Sequence, residues 1–209
     1  DLIDRHRQLG AGADNSRKGQ NRDLSAPGTY WEYNDVRVNR LSLALLHVFR
    51  RPLAEVLAQR IMLSLGTSTD WSWNAYRNAN VTIDGVSMPS VPGGSHWGGG
   101  LWIGADDQAK LGQLILQRGA WEGQQLLPST WVDAMLTPCN LNPEYGYMWW
   151  LNTGQARYPS ASGGAVAAVG AGGNTVLIDP AHDLVLVARW LDGAALNQLI
   201  AATIGAIEK

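Results

Sequence analysis

An α+β fold is what this sequence predicts: helices over the first two thirds of the chain and a strand–hairpin–helix unit over the last third. Three observations carry that expectation. Apolar residues recur at helical spacing from Val36 onward, and short apolar runs bounded by turn residues follow Asn142. The composition of the 209-residue chain, 45% hydrophobic and 16% charged, is globular rather than disordered. At roughly 150 residues per domain this length makes one large domain or one and a fraction.

In order along the chain, residues 1–29 are polar, glycine-containing and weakly periodic, which reads as an arm or surface loop turned by Pro27-Gly28. Val38, Leu41, Leu45, Val48 and Phe49 then fall on one face of a helix and are expected to point inward. Arg50-Arg51-Pro52 ends it, and Pro52 is expected in the first turn of a second helix lined by Leu53, Val56, Leu57, Ile61 and Leu65 and capped by Gly66. Residues 67–104 hold no long periodic segment, only a short strand at residues 81–83 and the glycine-rich run GGSHWGGGLWIG. Asp106 or Asp107 is expected to cap a helix with Leu111, Leu114 and Ile115 inside, stopped at Gly119, and Pro128 to open a shorter one. Strands are expected at residues 147–151, 175–178 and 184–190, the last two joined by a turn at Asp179-Pro180, and a helix over residues 194–207 closes the chain. Three segments result: a polar arm at 1–29, a mainly helical part at 30–142, and a strand–hairpin–helix part at 143–209. Residues 184–190 (LVLVARW) are apolar on both faces, which predicts a central place in a sheet whose other strands lie outside this chain.

Several function classes lose support from composition alone. Sixteen basic against eighteen acidic residues give no electrostatic reason for a nucleic acid or anionic membrane partner. No run approaches the apolar length needed to span a bilayer, and no charged-then-apolar leader is read at the start. Cys139 is the only cysteine, and His6, His47, His96 and His182 are isolated, so no metal or cofactor is expected. Gly170, Ala171, Gly172 and Gly173 precede a strand rather than a helix, the wrong context for a dinucleotide loop.

Tyr33-Asn34-Asp35 follows a Pro-Gly turn and precedes a strong helix, so the tyrosine sits on a constrained loop. Two readings stand: a phenol acting as general base, or a half-buried aromatic beside an Asp35 N-cap. His96 and Trp97, in the glycine-rich run, belong either to a cleft rim or to an ordinary tight connection. Trp149 and Trp150 point to opposite faces if they lie in a strand, so only one can line a cleft.

Four blocks in order then change the weighing. PGTYWEYNDVRVNRLSLALL, HWGGGLWIGADDQAKLGQLILQRGAWEGQQLLPSTWVDAM, YGYMWWLN and GAGGNTVLIDPAHDLVLVARW together resemble serine hydrolases related to class C β-lactamases, DD-peptidases and esterases. The resemblance, over roughly residues 22–209, implies a β-lactamase-like fold: an antiparallel sheet flanked by helices, plus a helical subdomain, incomplete in this chain. It implies that Tyr33 assists proton transfer to and from a nucleophilic serine. Asp35 stands where the family has asparagine, which replaces an amide donor by an acceptor-only carboxylate. The family's third motif falls near Gly170, Ala171 and Gly172, where no cation stands; backbone N–H groups there still offer an oxyanion donor. His96 and Trp97 would lie at the cleft rim.

No serine in the chain has lysine three positions later, so the family's Ser-x-x-Lys nucleophile is absent from these residues. Together with the strand pattern this leads to the expectation of a C-terminal portion of a larger hydrolase, cleaving a small ester or amide. Its partner would be an N-terminal segment carrying Ser-x-x-Lys. A pseudoenzyme and a tryptophan-rich binding module, for which the ten tryptophans allow, are the other readings.

Overall fold

Asn34, not Asp35, caps the first helix. In the computed structural model, which describes residues 25–94 and 100–207, the Asn34 side chain accepts from the Arg37 N–H at 3.2 Å. Asp35 is the first residue of helix α1 (Asp35–Phe49), where its charge complements the N-terminal dipole. The bulk of the expected polar arm lies outside the described residues.

The chain divides into two compact units, Asp1–Ile103 and Gly104–Lys209. In the first, α1 turns its other side inward from the one expected. Ser42 and Leu46 are buried, and Leu46 packs with Leu53, Ile83, Met88 and Val91, whereas Leu41, Leu45, Val48 and Phe49 are exposed. A helix with apolar residues on two sides does not declare from its period which side meets the core. Pro52 precedes α2 (Leu53–Leu57) as its cap rather than entering its first turn. The helix then widens into a π-turn (Ala58–Met62), closed by Leu63 N–H donating to the Ala58 carbonyl.

The rest of this unit is short paired strands. β1 (Ser72–Asn74) pairs antiparallel with β4 (Gly100–Trp102), and β2 (Asn80–Ile83) with β3 (Val86–Pro89). The β2–β3 turn is Asp84-Gly85, with φ of 51° and 79°, a sequence signal for a tight hairpin. Only the first strand of that hairpin was expected.

In the second unit, α3 (Ala105–Leu116) is capped by Gly104 with no side-chain bond, and Asp106 and Asp107 occupy its first turn instead. A two-residue-strand hairpin follows, β5 (Ala120–Trp121) and β6 (Gln124–Gln125), then α4 (Ser129–Met135). Four antiparallel strands form the sheet in the order β10–β9–β8–β7: β7 (Trp150–Leu151), β8 (Val166–Gly170), β9 (Asn174–Asp179) and β10 (Leu184–Ala188). The last helix is α5 (Gly193–Ile207).

Register explains the apolar run of β10. Leu186 pairs with Leu177 and Ala188 with Thr175, and on that face Leu177, Leu184 and Ala188 pack with Leu196, Ile200 and Ile204 of α5. On the other face Val185 and Val176 meet Gly112 of α3 so closely that a Cβ there would lie 2.6 Å from Val185. Ile178 and Val166 pack with Ile115, Val132 and Met135. Helices cover both faces, so both must be apolar. Among the described residues β10 is bonded only to β9, and any further neighbour of it lies outside them. The same packing draws α3 and α4 into one unit with the sheet.

Candidate active site

Tyr33 sits one residue before the α1 cap with its side chain exposed. The Asn34 amide that caps α1 also donates to Glu32 Oε2 at 3.1 Å, and Arg37 approaches the same carboxylate at 4.0 Å. The loop bearing the phenol is therefore tied to the helix start by a side-chain network rather than by packing.

The glycine-rich run joins this site through Asn39. Its Oδ1 accepts from the N–H groups of Gly93 (2.9 Å) and Gly94 (2.8 Å), holding that backbone against α1. A Cβ at Gly94 would lie 2.7 Å from Asp35 Cβ and one at Gly93 would lie 2.5 Å from Val38, so only glycine permits the approach. The structure thus brings together Asp35 and the start of the glycine-rich run. His96 and Trp97 lie outside the described residues. Asn39, a poor helix former in mid-helix, was the only trace of this docking in the sequence.

In the second unit, Gly170 ends β8 opposite Asn174, and Ala171, Gly172 and Gly173 form the β8–β9 turn. They form a turn that leads into a strand. Gly172 and Gly173 adopt φ of 78° and 73°; a Cβ at Gly172 would meet the Trp190 ring at 2.5 Å, and one at Gly173 would strike the Leu191 carbonyl. Leu191 N–H donates to the Gly173 carbonyl and Asn174 Nδ2 to that of Ala171, at 3.2 and 2.7 Å. Close packing therefore already accounts for two of these four residues as glycine, while Gly170 and Ala171 remain exposed.

Two buried polar side chains hold the segment that leads into β8, and neither was singled out for this from sequence. Asn152, fully buried, accepts from Tyr158 N–H and donates to the carbonyls of Tyr158 and Ser162, each at 2.9 Å. Asp179, also fully buried, accepts from Ser162 N–H (2.9 Å), Ser162 Oγ (2.5 Å), Ala181 N–H (3.2 Å) and His182 Nδ1 (2.8 Å). Burial works to raise the Asp179 pKa, but the hydrogen bonds from Ser162 and His182 outweigh it and hold the carboxyl below its ordinary value. Although Ser, Asp and His meet here, both Ser162 and His182 point at the carboxylate, so this is a clamp and not a nucleophile–base relay.

Tyr33 and Asp35 thus belong to the first unit and Gly170, Ala171, Gly172 and Gly173 to the second. Trp149 packs with the α3–α4 side of the sheet, while Trp150 stands edge-on to Tyr145 at 4.8 Å, the opposite-face arrangement expected.

The Beta-lactamase family profile matches residues 9–190. Among solved structures the fold is shared with a chain from Bacillus anthracis named as a 6-aminohexanoate-dimer hydrolase, at 22% identity and a TM-score of 0.60, over 88% of this chain and 45% of that one. A chain from Bacteroides dorei named as a β-lactamase gives 14% identity and a TM-score of 0.60 over 90% of this chain and 61% of that one. A β-lactamase from Mycobacterium bovis gives 17% and 0.58 over 98% and 72%. The present chain therefore spans about half the length of the first of these and under two thirds of the second. No curated protein sequence matches it.

Proposed function

The chain belongs to the Beta-lactamase family, and on that premise we propose that it is part of a serine hydrolase that cleaves a small ester or amide through an acyl-enzyme, with the nucleophile on a segment outside these residues. The observation that carries the reading is Tyr33: an exposed phenol fixed one residue ahead of the Asn34 cap, in the block that resembles the family's tyrosine motif. In the proposed step the serine oxygen attacks the carbonyl carbon while the Tyr33 oxygen, acting as phenolate, takes the serine proton. The same proton passes to the leaving alcohol or amine, and water reverses the sequence to release the acid. The resemblance assigns the oxyanion contact to backbone N–H groups near Gly170 and Ala171. Asp35 would accept a hydrogen bond from substrate where an amide would donate one.

The absence of a cation at residues 170–173 weighs against β-lactams and toward esters or amides, and the Bacillus anthracis chain, named for hydrolysis of an amino-acid dimer, supports the same direction. The partner in this reading is the protein's own N-terminal segment bearing Ser-x-x-Lys; no nucleic acid and no membrane is invoked.

Labelling with a fluorophosphonate tests it. The 209-residue chain alone should remain unlabelled, and co-expression with its Ser-x-x-Lys segment should give one labelled serine on that segment. In that assembly Tyr33→Phe should slow acylation by about 10²- to 10⁴-fold. A labelled serine within the 209 residues overturns the assignment, and an assembly that binds its segment but never labels is a pseudoenzyme. Exposure of Trp102, Trp131 and Trp190 favours the binding-module reading, but Trp131 meets Tyr147 at an interplanar angle of 41°, not as a flat platform.

A further inference from the structure

Arg157 is a guanidinium without a carboxylate. Its Cζ sits 3.8 Å from the centroid of the Trp150 ring, and its Nε is buried with no hydrogen-bond partner. Among the described residues no ion pair involves it, although Arg37, Arg50, Arg51 and Arg118 each face a carboxylate. A half-buried cation left so costs free energy, and such a group calls for an explanation.

Everything around it is fixed. Trp150 pairs with Ala167 of β8 and is braced edge-on by Tyr145. The backbone of the next residue, Tyr158, is held on both its N–H and its carbonyl by Asn152. The guanidinium also hydrogen-bonds the Tyr158 phenol, whose pKa burial pushes up and Arg157 pulls back, which leaves the Nε as the unpartnered donor. A planar fork seated on an aromatic ring is the geometry that recognises a carboxylate with two parallel hydrogen bonds.

We propose that Arg157, seated on Trp150, forms a carboxylate subsite, so that the ester or amide of the proposed reaction carries an acid group. This rests on the hydrolase reading only for calling the ligand a substrate. Position supports it: Trp150 abuts β8 at Ala167, and β8 runs on three residues to Gly170, about 10 Å at strand spacing. Residues 170–173 supply no cation of their own, and Arg157 supplies one in the same unit, on the ring of a residue paired with β8.

Hexanoate and its neutral counterpart hexanamide are the probes, titrated into the 209-residue chain while the indole N–H signal of Trp150, assigned with Trp150→Phe, is followed by NMR. Hexanoate should shift that signal saturably, hexanamide should bind at least tenfold more weakly, and Arg157→Gln should abolish the difference between them. Arg157→Lys, which keeps the charge and loses the fork, should weaken hexanoate by about tenfold. Equal responses to acid and amide, no response of Trp150, or undiminished hexanoate binding by a folded Arg157→Gln chain would each overturn the subsite. If Arg157→Gln fails to fold, the acid–amide comparison on the unaltered chain still decides. No nucleophile is needed for this binding, so its outcome is separate from that of the labelling experiment.

Discussion

In the second unit β9 and β10 are buried on both faces by helices of the same unit, and its deepest polar groups, Asn152 and Asp179, are fully hydrogen-bonded. The first unit has no such sheet among its described residues. It buries one side of α1 against two small hairpin pieces and leaves Leu41, Leu45, Val48 and Phe49 exposed on the other. The contrast teaches where order comes from in each. In the second unit a sheet packed between helices specifies one arrangement, while the first relies on single hydrogen-bonding devices: a cap at Asn34, a tight turn at Asp84-Gly85, and Asn39 pinning a loop 54 residues further on.

The comparison is most sharply tested at Asp179. Replacing it with alanine removes the buried acceptor of the Ser162, Ala181 and His182 donors and should lower stability by about 3 kcal/mol in urea unfolding. The pH dependence has a definite sign. Because the folded carboxyl titrates below its unfolded value of about 4, its contribution is complete above that pH and disappears as pH falls through the lowered folded pKa. The unaltered chain should therefore lose stability below about pH 4 more steeply than Asp179→Ala. Parallel acid limbs would show that the folded and unfolded carboxyls titrate alike, so that the clamp does not favour the ionised form.

A smaller effect separates two glycines of similar φ. Gly172→Ala must bear both a left-handed backbone and the Trp190 ring, and should cost about 2 kcal/mol. Gly85→Ala, with φ of 79° and nothing within 4 Å, bears only the backbone strain, about 1 kcal/mol. Equal losses in thermal melts would mean that close packing in the second unit is not what holds its turn. The smallest effect belongs to Leu45→Glu on the open side of α1, within about 0.5 kcal/mol for a surface position. A loss of several kcal/mol there would show that this face is covered in solution and would erase the contrast.

Much of the local structure was legible because its causes are local. Helical spacing announced α1 and α5, and Asp179-Pro180 announced the last turn. Asp84-Gly85 also carried a readable hairpin signal, and β3 follows from it. β8 was missed because Val166-Ala167-Ala168-Val169-Gly170 has little strand preference of its own; it is a strand because β9 lies beside it. The candidate site was legible only in its chemistry-bearing types. Tyr33 and Asp35 stood out, whereas the capping by Asn34 and the docking by Asn39 depend on which polar side chain the turn geometry reaches first.

By itself, then, the sequence determined the α+β class, the positions of the main helices, the ordered blocks that mark the Beta-lactamase family, and the lack of a Ser-x-x-Lys within these residues. These rest on short-range periodicity and residue identity. Tertiary structure alone decided which side of α1 is inside, that helices cover both faces of β10, and that Gly172 is glycine where Trp190 crosses it. It also decided that Asp179 is a buried clamp and that Arg157 rests on Trp150 with no counter-charge among the described residues. Each of these depends on groups distant in sequence or on which of two equally apolar surfaces finds a partner, and no local pattern of side chains encodes that choice.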